Sequence, residues 1–330
     1  STSRSLHWAR LLRLSLFPSA IADPIAGAAV AGLYWPLALP QLGYALLASL
    51  CVYHGSMALN DWHDLNTDVA AGRNRPLTTG AIRPMHALFL GAALVLGGVS
   101  IPYFAPAIFG LSKGVSHLEF LLVAALATGY SFGLRGPLLG PALLGLCRAG
   151  NFVFGALVVA ANSGLHIWPA VPLAATIYFA LVFTVSSLGR YEDGEAAATP
   201  EQLAVIAPRL LRRQVGLLWS LPLALCALRY WQPTLTQNTT QSGTLLVACL
   251  AIGCSLAIHY SLPLLKLSKS TGWTPAKIEA VMGLCLSRFV PFAILSVVVT
   301  IYSWHGLLAA AGLHLLAKVG RRMMAFIPPS

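Results

Sequence analysis

Long apolar runs alternate with short polar interruptions along the whole chain. The apolar runs fall at about 17–36, 38–59, 85–105, 118–133, 138–161, 167–188, 210–228, 243–262, 278–300 and 304–318. A helix needs about 20 apolar residues to cross the hydrocarbon of a bilayer, and most of these runs approach that length. Pro and Gly are scattered inside the runs, as membrane helices tolerate. The pattern predicts an all-α, polytopic membrane helical bundle of about nine to ten transmembrane helices. No polar stretch between them is long enough to form a separate soluble domain, so residues 1–330 are read as one transmembrane domain. Two similar halves, about 14–162 and 163–320, suggest a pseudo-repeat.

Composition sharpens this reading. The 330 residues are 57% hydrophobic and only 9% charged, with a mean hydropathy of +0.74. Soluble domains carry roughly 25% charged residues, so an ordinary soluble enzyme, a disordered chain, a collagen and a coiled coil are all excluded. The net charge of +11 would suggest nucleic acid in a soluble chain; here it follows membrane orientation instead. With ten spans, 17 of the 21 basic residues fall on the side that holds the N-terminus, and only Lys113 and Arg229 fall on the other. That asymmetry predicts a cytoplasmic N-terminus and a cytoplasmic basic face, most simply in a bacterial inner membrane. A nine-span arrangement would put the Lys318–Arg322 cluster on the opposite side. Arg4, Arg10 and Arg13 lead straight into the first apolar run, with no signal-peptide cleavage pattern. The six cysteines lie in or beside apolar runs without metal spacing and read as small hydrophobes.

The acidic residues are few and clustered. Of ten, Asp61, Asp64 and Asp68 follow the second run, and Glu192, Asp193, Glu195 and Glu201 follow the sixth. Charged groups are costly near hydrocarbon, so such clusters read as functional sites. If the second helix continues, Asp61, Asp64 and Asp68 lie within an arc of roughly 60°, with Asn60 at its edge. Hard oxygen ligands on one face suit Mg²⁺, which is usually shared with substrate phosphates, and Arg73 and Arg75 can clamp phosphate oxygens. The plainer alternative is an acidic helix end whose carboxylates pair with those arginines.

The stretch Asn60-Asp61-x-x-Asp64-x-x-x-Asp68, followed by Gly72-Arg73-Asn74-Arg75-Pro76-Leu77-Thr78-Thr79-Gly80, resembles the first aspartate-rich motif of the UbiA family of intramembrane prenyltransferases. Tyr130-Ser131-Phe132-Gly133-Leu134-Arg135 is similar to that family's segment between spans four and five. Arg148 with Asn151 resembles a polar pair of the fifth helix, and Arg13 the family's early arginine. The segment Gly140–Asn151 looks most like the EboC-type branch, for which a cyclitol-like acceptor is a possibility. The second motif departs from the family pattern: neither Gly189 nor Ala197 supplies the carboxylate expected four residues from Asp193, and Arg190-x-Glu192 with Asp193 and Glu195 stands in its place.

The resemblance implies a bundle around a central cavity and an Mg²⁺-dependent prenyltransferase. Such an enzyme transfers an isoprenoid chain from a prenyl diphosphate to a small cyclic acceptor, aromatic or cyclitol-like, by ionisation to an allylic carbocation. Asn60, Asp61, Asp64 and Asp68 would bind a first metal ion, and Glu192, Asp193 and Glu195 a second. Arg73, Arg135 and Arg190, with Tyr130, Arg148, Asn151 and Arg13, would hold the diphosphate. Asp61, Asp64, Asp68, Glu192 and Arg190 are the expected catalytic set. Two other classes stay open: a transporter coupling a cation or proton to a solute, and a membrane protein that binds prenyl diphosphate without turnover.

Overall fold

A computed structural model describes residues 4–32, 39–108, 116–163, 169–192, 198–231, 243–301 and 304–326. Asp193 and Glu195 lie outside the described residues. The elements are helices throughout the described chain: α1 (Arg4–Leu11), α2 (Phe17–Val30), α3 (Leu39–His63), α4 (Leu65–Ala70), α5 (Pro84–Ile108), α6 (Ser116–Ser131), α7 (Leu139–Ser163), α8 (Ala170–Gly189), α9 (Pro200–Trp231), α10 (Gly243–Ser268), α11 (Pro275–Leu286), α12 (Phe289–Thr300) and α13 (Trp304–Phe326). Every apolar run of the sequence overlaps one of them. Among the described residues six stretches are long and apolar enough to cross a membrane: α3, α5, α7, α8, α10 and the pair α11–α12. The chain is an all-helical integral membrane protein. Large apolar side chains such as Phe89, Leu96 and Ile108 of α5 stand outward, which is unfavourable in water and natural against lipid.

Helix ends follow local chemistry. Thr199 and Gln202 exchange reciprocal side-chain and backbone hydrogen bonds at the start of α9, a capping box that satisfies two otherwise orphaned amides. Thr274 caps α11, accepting from the Lys277 amide ahead of Pro275 at the first helical turn.

The main core joins α2 and α7 to α8 through α13, and a second cluster lies between α3, α6 and the other face of α7. Helix α7 divides the two by its own periodicity: Phe152 and Ala156 face the first, Phe154 and Val158 the second. Helix α12 is buried from Phe289 to Val299. Tyr178 of α8 stacks on Phe292 with ring centroids 4.6 Å apart, and Phe152 and Phe289 complete an aromatic group between α2, α7, α8 and α12. Helices α2 and α7 meet backbone to backbone. A Cβ on Gly155 would lie 2.1 Å from the Pro24 carbonyl oxygen, and one on Gly27 would lie 1.7 Å from that of Phe152. Only glycine permits this approach, and it carries the polar groups of both helices into contact.

Candidate active site

Helix α3 carries the acidic motif out of the apolar zone. It is interrupted at Asp64 and resumes as α4, although the amides of Asp64 and Asp68 still bond the carbonyls of Asn60 and Asp64 at 2.9 and 2.8 Å. Asp61 and Asp68 are nearly sealed from solvent, at 1% and 2% exposed. Carboxylates so desolvated require close positive charge, and a chain reversal supplies it. Gly72 adopts a left-handed backbone with φ 66°, a conformation that glycine takes without steric cost. The Arg73 amide then bonds the Asp68 carbonyl at 2.9 Å, and the following residues fold back over α3 and α4.

That loop is fastened at both ends. The Thr78 hydroxyl accepts from the Arg75 amide at 2.9 Å and bonds the Arg73 carbonyl at 2.6 Å. Leu77 and Ile82 are buried with Leu11, Ala58 and Ala87 beneath it. Fixed in this way, Arg75 places one nitrogen, Nη1, 3.2 Å from Asp61 and 2.6 Å from Asp68. Arg73 adds a contact to Asp68 at 3.3 Å, and Arg13 one to Asp61 at 3.3 Å. Arg13 sits between α1 and the turn leading to α2 with a positive φ of 49°, uncommon for a residue with a side chain. The left-handed turn aims its guanidinium at α3.

Asp64 belongs to a second grouping. Arg135, from the turn between α6 and α7, donates to Asp64 at 3.0 Å and to the Asn60 side-chain oxygen at 2.5 Å, while the Asn60 amide donates to Asp64 at 3.1 Å. The Arg135 guanidinium lies over the Tyr130 ring, 5.1 Å from its centroid, and its Nε donates to the Tyr130 carbonyl at 3.3 Å. Phe132 packs edge-on against Trp62 and His63, which docks the end of α6 on the end of α3.

The expected single face of three carboxylates is therefore split. Seven residues turn a helix through almost two full rotations, so Asp61 and Asp68 point within about 20° of each other, while Asp64 lies about 40° further round toward Asn60. Arg135 holds that second pair. Among the described residues no three His, Cys, Asp or Glu side chains converge as a metal group. Two carboxylates do converge, on the position that Arg75 Nη1 fills. One or two carboxylates completed by substrate phosphates suit Mg²⁺, so the donor set fits that ion with Asp61 and Asp68 as its protein ligands.

The remaining expected residues are placed as follows. Arg190, at the end of α8, donates to the Pro137 carbonyl at 2.8 Å and so ties α8 to the loop carrying Arg135; Glu192 follows it in a half-buried turn. Arg148 and Asn151 are not beside the acidic motif. Arg148 donates to Asp23 at 2.9 Å, to the Ser19 carbonyl at 2.8 Å and to Tyr178 at 3.0 Å, with the Phe289 ring 4.8 Å away. Asn151 donates to Asp23 at 3.3 Å and to Ser49 at 2.8 Å, and Tyr178 donates to Asp23. Ser49 is twelve residues from Asp61 along α3, which is about 18 Å. Both side chains, expected at the diphosphate, are engaged in this structure by the buried Asp23 carboxylate. His54 donates through Nδ1 to the Leu12 carbonyl at 2.6 Å and is a satisfied packing group.

Two residues of weight escaped sequence reasoning. Asp23 is an acid inside an apolar run, and that alone marks it. Tyr178 carried no signal, since an aromatic residue in a membrane helix is ordinary.

The fold and this site define an all-helical membrane protein with paired buried carboxylates and four arginines gathered at one end of its helices. The sequence profile of the UbiA prenyltransferase family matches residues 21–278, and the chain belongs to that family. It is similar to digeranylgeranylglyceryl phosphate synthase of Hyperthermus butylicus, 31% identical over 172 residues, which are 49% of this chain and 54% of that protein. It is also similar to protoheme IX farnesyltransferase of Rhizobium johnstonii, 37% identical over 94 residues, 27% of this chain and 28% of that one. The chain thus spans about half the length of the first curated relative and under a third of the second. In fold it is similar to a UbiA homolog from Archaeoglobus fulgidus solved with GPP and Mg²⁺, with a TM-score of 0.54 and 17% identity over 88% of this chain and 99% of that one. The same homolog bound to DMAPP and Mg²⁺ gives 0.54 and 18% over 89% and 99%.

Proposed function

We propose that this chain is an Mg²⁺-dependent prenyltransferase that moves an isoprenoid chain from a prenyl diphosphate to a small cyclic acceptor, aromatic or cyclitol-like, within the membrane. The observation that carries the reading is the convergence of Asp61 and Asp68, both buried, on one guanidinium nitrogen in a member of this family. When bound there, Mg²⁺ neutralises charge on the leaving diphosphate. Arg75, now holding that position, turns to the diphosphate oxygens, as do Arg73 and Arg13. Arg135, braced by Tyr130 and drawn in by Asn60 and Asp64, closes the head-group site from the α6–α7 side, with Arg190 holding that loop.

The C–O bond breaks as the diphosphate leaves with its electron pair, and fixed arginines stabilise the charge at no cost of reorganisation. The allylic cation is kept from water by the surrounding helices. The acceptor's nucleophilic atom bonds to the cationic carbon, and its proton passes to a carboxylate of the loop after α8, where Glu192, Asp193 and Glu195 lie and where a second Mg²⁺ would be held. The similarity of the Archaeoglobus homolog, whose structures contain Mg²⁺ with GPP or DMAPP, supports the donor and the metal. The similarity of Gly140–Asn151 to the EboC-type branch supports the cyclic acceptor.

We further read the chain as nine to ten crossings around a central cavity, built of two pseudo-repeat halves at about 14–162 and 163–320. The N-terminus and the site face lie in the cytoplasm of a bacterial cell. The test is release of diphosphate from a panel of allylic diphosphates by the purified chain, with and without EDTA, and mass spectrometry of products with candidate acceptors. Metal-dependent diphosphate release is expected. A transporter would release none and would concentrate solute in sealed vesicles, and a binding protein would hold the donor without turnover.

A further inference from the structure

The first half of α9 and the end of α10 enclose a groove of about 640 Å³, away from the acidic motif. Arg209, Arg212 and Arg213 line one wall, and Lys269 with Ser268 and Ser270 the other. Among the described residues, none of these four cations has a carboxylate partner. Four cations without a carboxylate partner among the described residues repel one another around one concavity and favour an anion.

The surroundings identify the kind of anion. On α10 the exposed face runs Ile258, Leu262, Lys266, Lys269, changing from apolar to basic within three turns. On α9 the exposed face reads Ala204 and Val205, then Arg209, Arg212 and Arg213, then Gly216 and Leu223. On both helices the basic side chains adjoin outward apolar ones, Leu223 on α9 and Ile258 and Leu262 on α10. A soluble anion would need only the charges. A groove whose cations stand above an exposed apolar strip also accommodates acyl chains, and basic pockets between membrane helices bind anionic head groups.

We propose that this groove is a binding site for the phosphate head group of an anionic membrane phospholipid, with its acyl chains along the outer faces of α9 and α10. Free phosphate shares the head group's chemistry, and the test separates the two sources. The full chain in non-ionic detergent is titrated with phosphatidylglycerol, with phosphatidylcholine and with inorganic phosphate, and bound lipid is counted by native mass spectrometry. The variants are Arg209→Gln, Arg212→Gln, Arg213→Gln and Lys269→Gln, singly and in combination, with the triple variant Arg209→Gln/Arg212→Gln/Arg213→Gln set against an equal removal of three charges on α13 by Lys318→Gln, Arg321→Gln and Arg322→Gln. We expect phosphatidylglycerol to bind in preference to phosphatidylcholine and to weaken about five-fold for each groove charge removed, with the α13 variants unchanged. Metal-dependent diphosphate release should persist in the groove variants, since none of the four residues touches the acidic motif. Equal binding of the two lipids, equal losses in the α13 variants, or displacement of the lipid by millimolar phosphate would each overturn the proposal.

Discussion

Asp61 and Asp68 differ from Asp64 in what surrounds them, so their loss acts through a different arginine. Both share one Arg75 nitrogen in a buried setting, so Asp61→Asn or Asp68→Asn removes a proposed metal ligand and leaves Arg75 under-neutralised. Turnover should fall by about a hundredfold or more, the order seen when one electrostatic catalytic group is lost, with helical content by circular dichroism unchanged. Asp64→Ala should also abolish turnover while sparing the fold, because it frees Arg135 and Asn60 and removes no packing; near-normal activity in that variant would refute the assignment of Asp64 to the site. Glu192→Gln should reduce activity more than Glu201→Gln, because Glu201 is an exposed first-turn residue beside the Thr199–Gln202 cap; equal losses would mean that the loop after α8 is only a solvated surface. In the interior, Arg148→Leu leaves the buried Asp23 carboxylate without its cation, with only the neutral donors Asn151 and Tyr178. Breaking a buried pair from one side costs about 3–5 kcal/mol. A thermal unfolding series should therefore find Arg148→Leu less stable than the double variant Asp23→Leu/Arg148→Leu.

Among the elements, α2 and α7 depend on their glycines. Gly155→Ala sets a methyl group 2.1 Å from the Pro24 carbonyl oxygen, and overpacking of this kind costs about 1–3 kcal/mol. A lowered unfolding temperature is expected, with no change for Gly43→Ala, where an added Cβ meets nothing within 4 Å. The same close approach carries Asp23 against Arg148 and Asn151, so the substitution should weaken the polar network as well as the packing. The loop from Gly72 to Ile82 works differently. It has no long helix of its own, and its shape comes from one left-handed glycine, the bonds of Thr78 and two buried apolar anchors. Its sequence pattern marked it as part of the site through Arg73 and Arg75 alike, and Arg75 makes the closer and more central contacts. Which of two arginines two residues apart turns inward depends on the loop's backbone, which spacing does not reveal.

Over the whole molecule, what could be read beforehand was whatever depends on local composition. The apolar runs marked the helices because length and hydropathy decide what a bilayer will hold. The gathering of acids marked the functional end because charge near hydrocarbon is rarely idle. The three aspartates were expected on one face because helical periodicity is a property of the chain itself. Their division into an Asp61–Asp68 pair under Arg75 and an Asp64–Asn60 pair under Arg135 was settled by loops that return from elsewhere, and the linkage of Asp23, Arg148, Asn151 and Tyr178 by the packing of three helices. An ion pair between residues 125 positions apart leaves no trace in the local pattern, because its energy exists only once packing has removed both groups from solvent and brought them together.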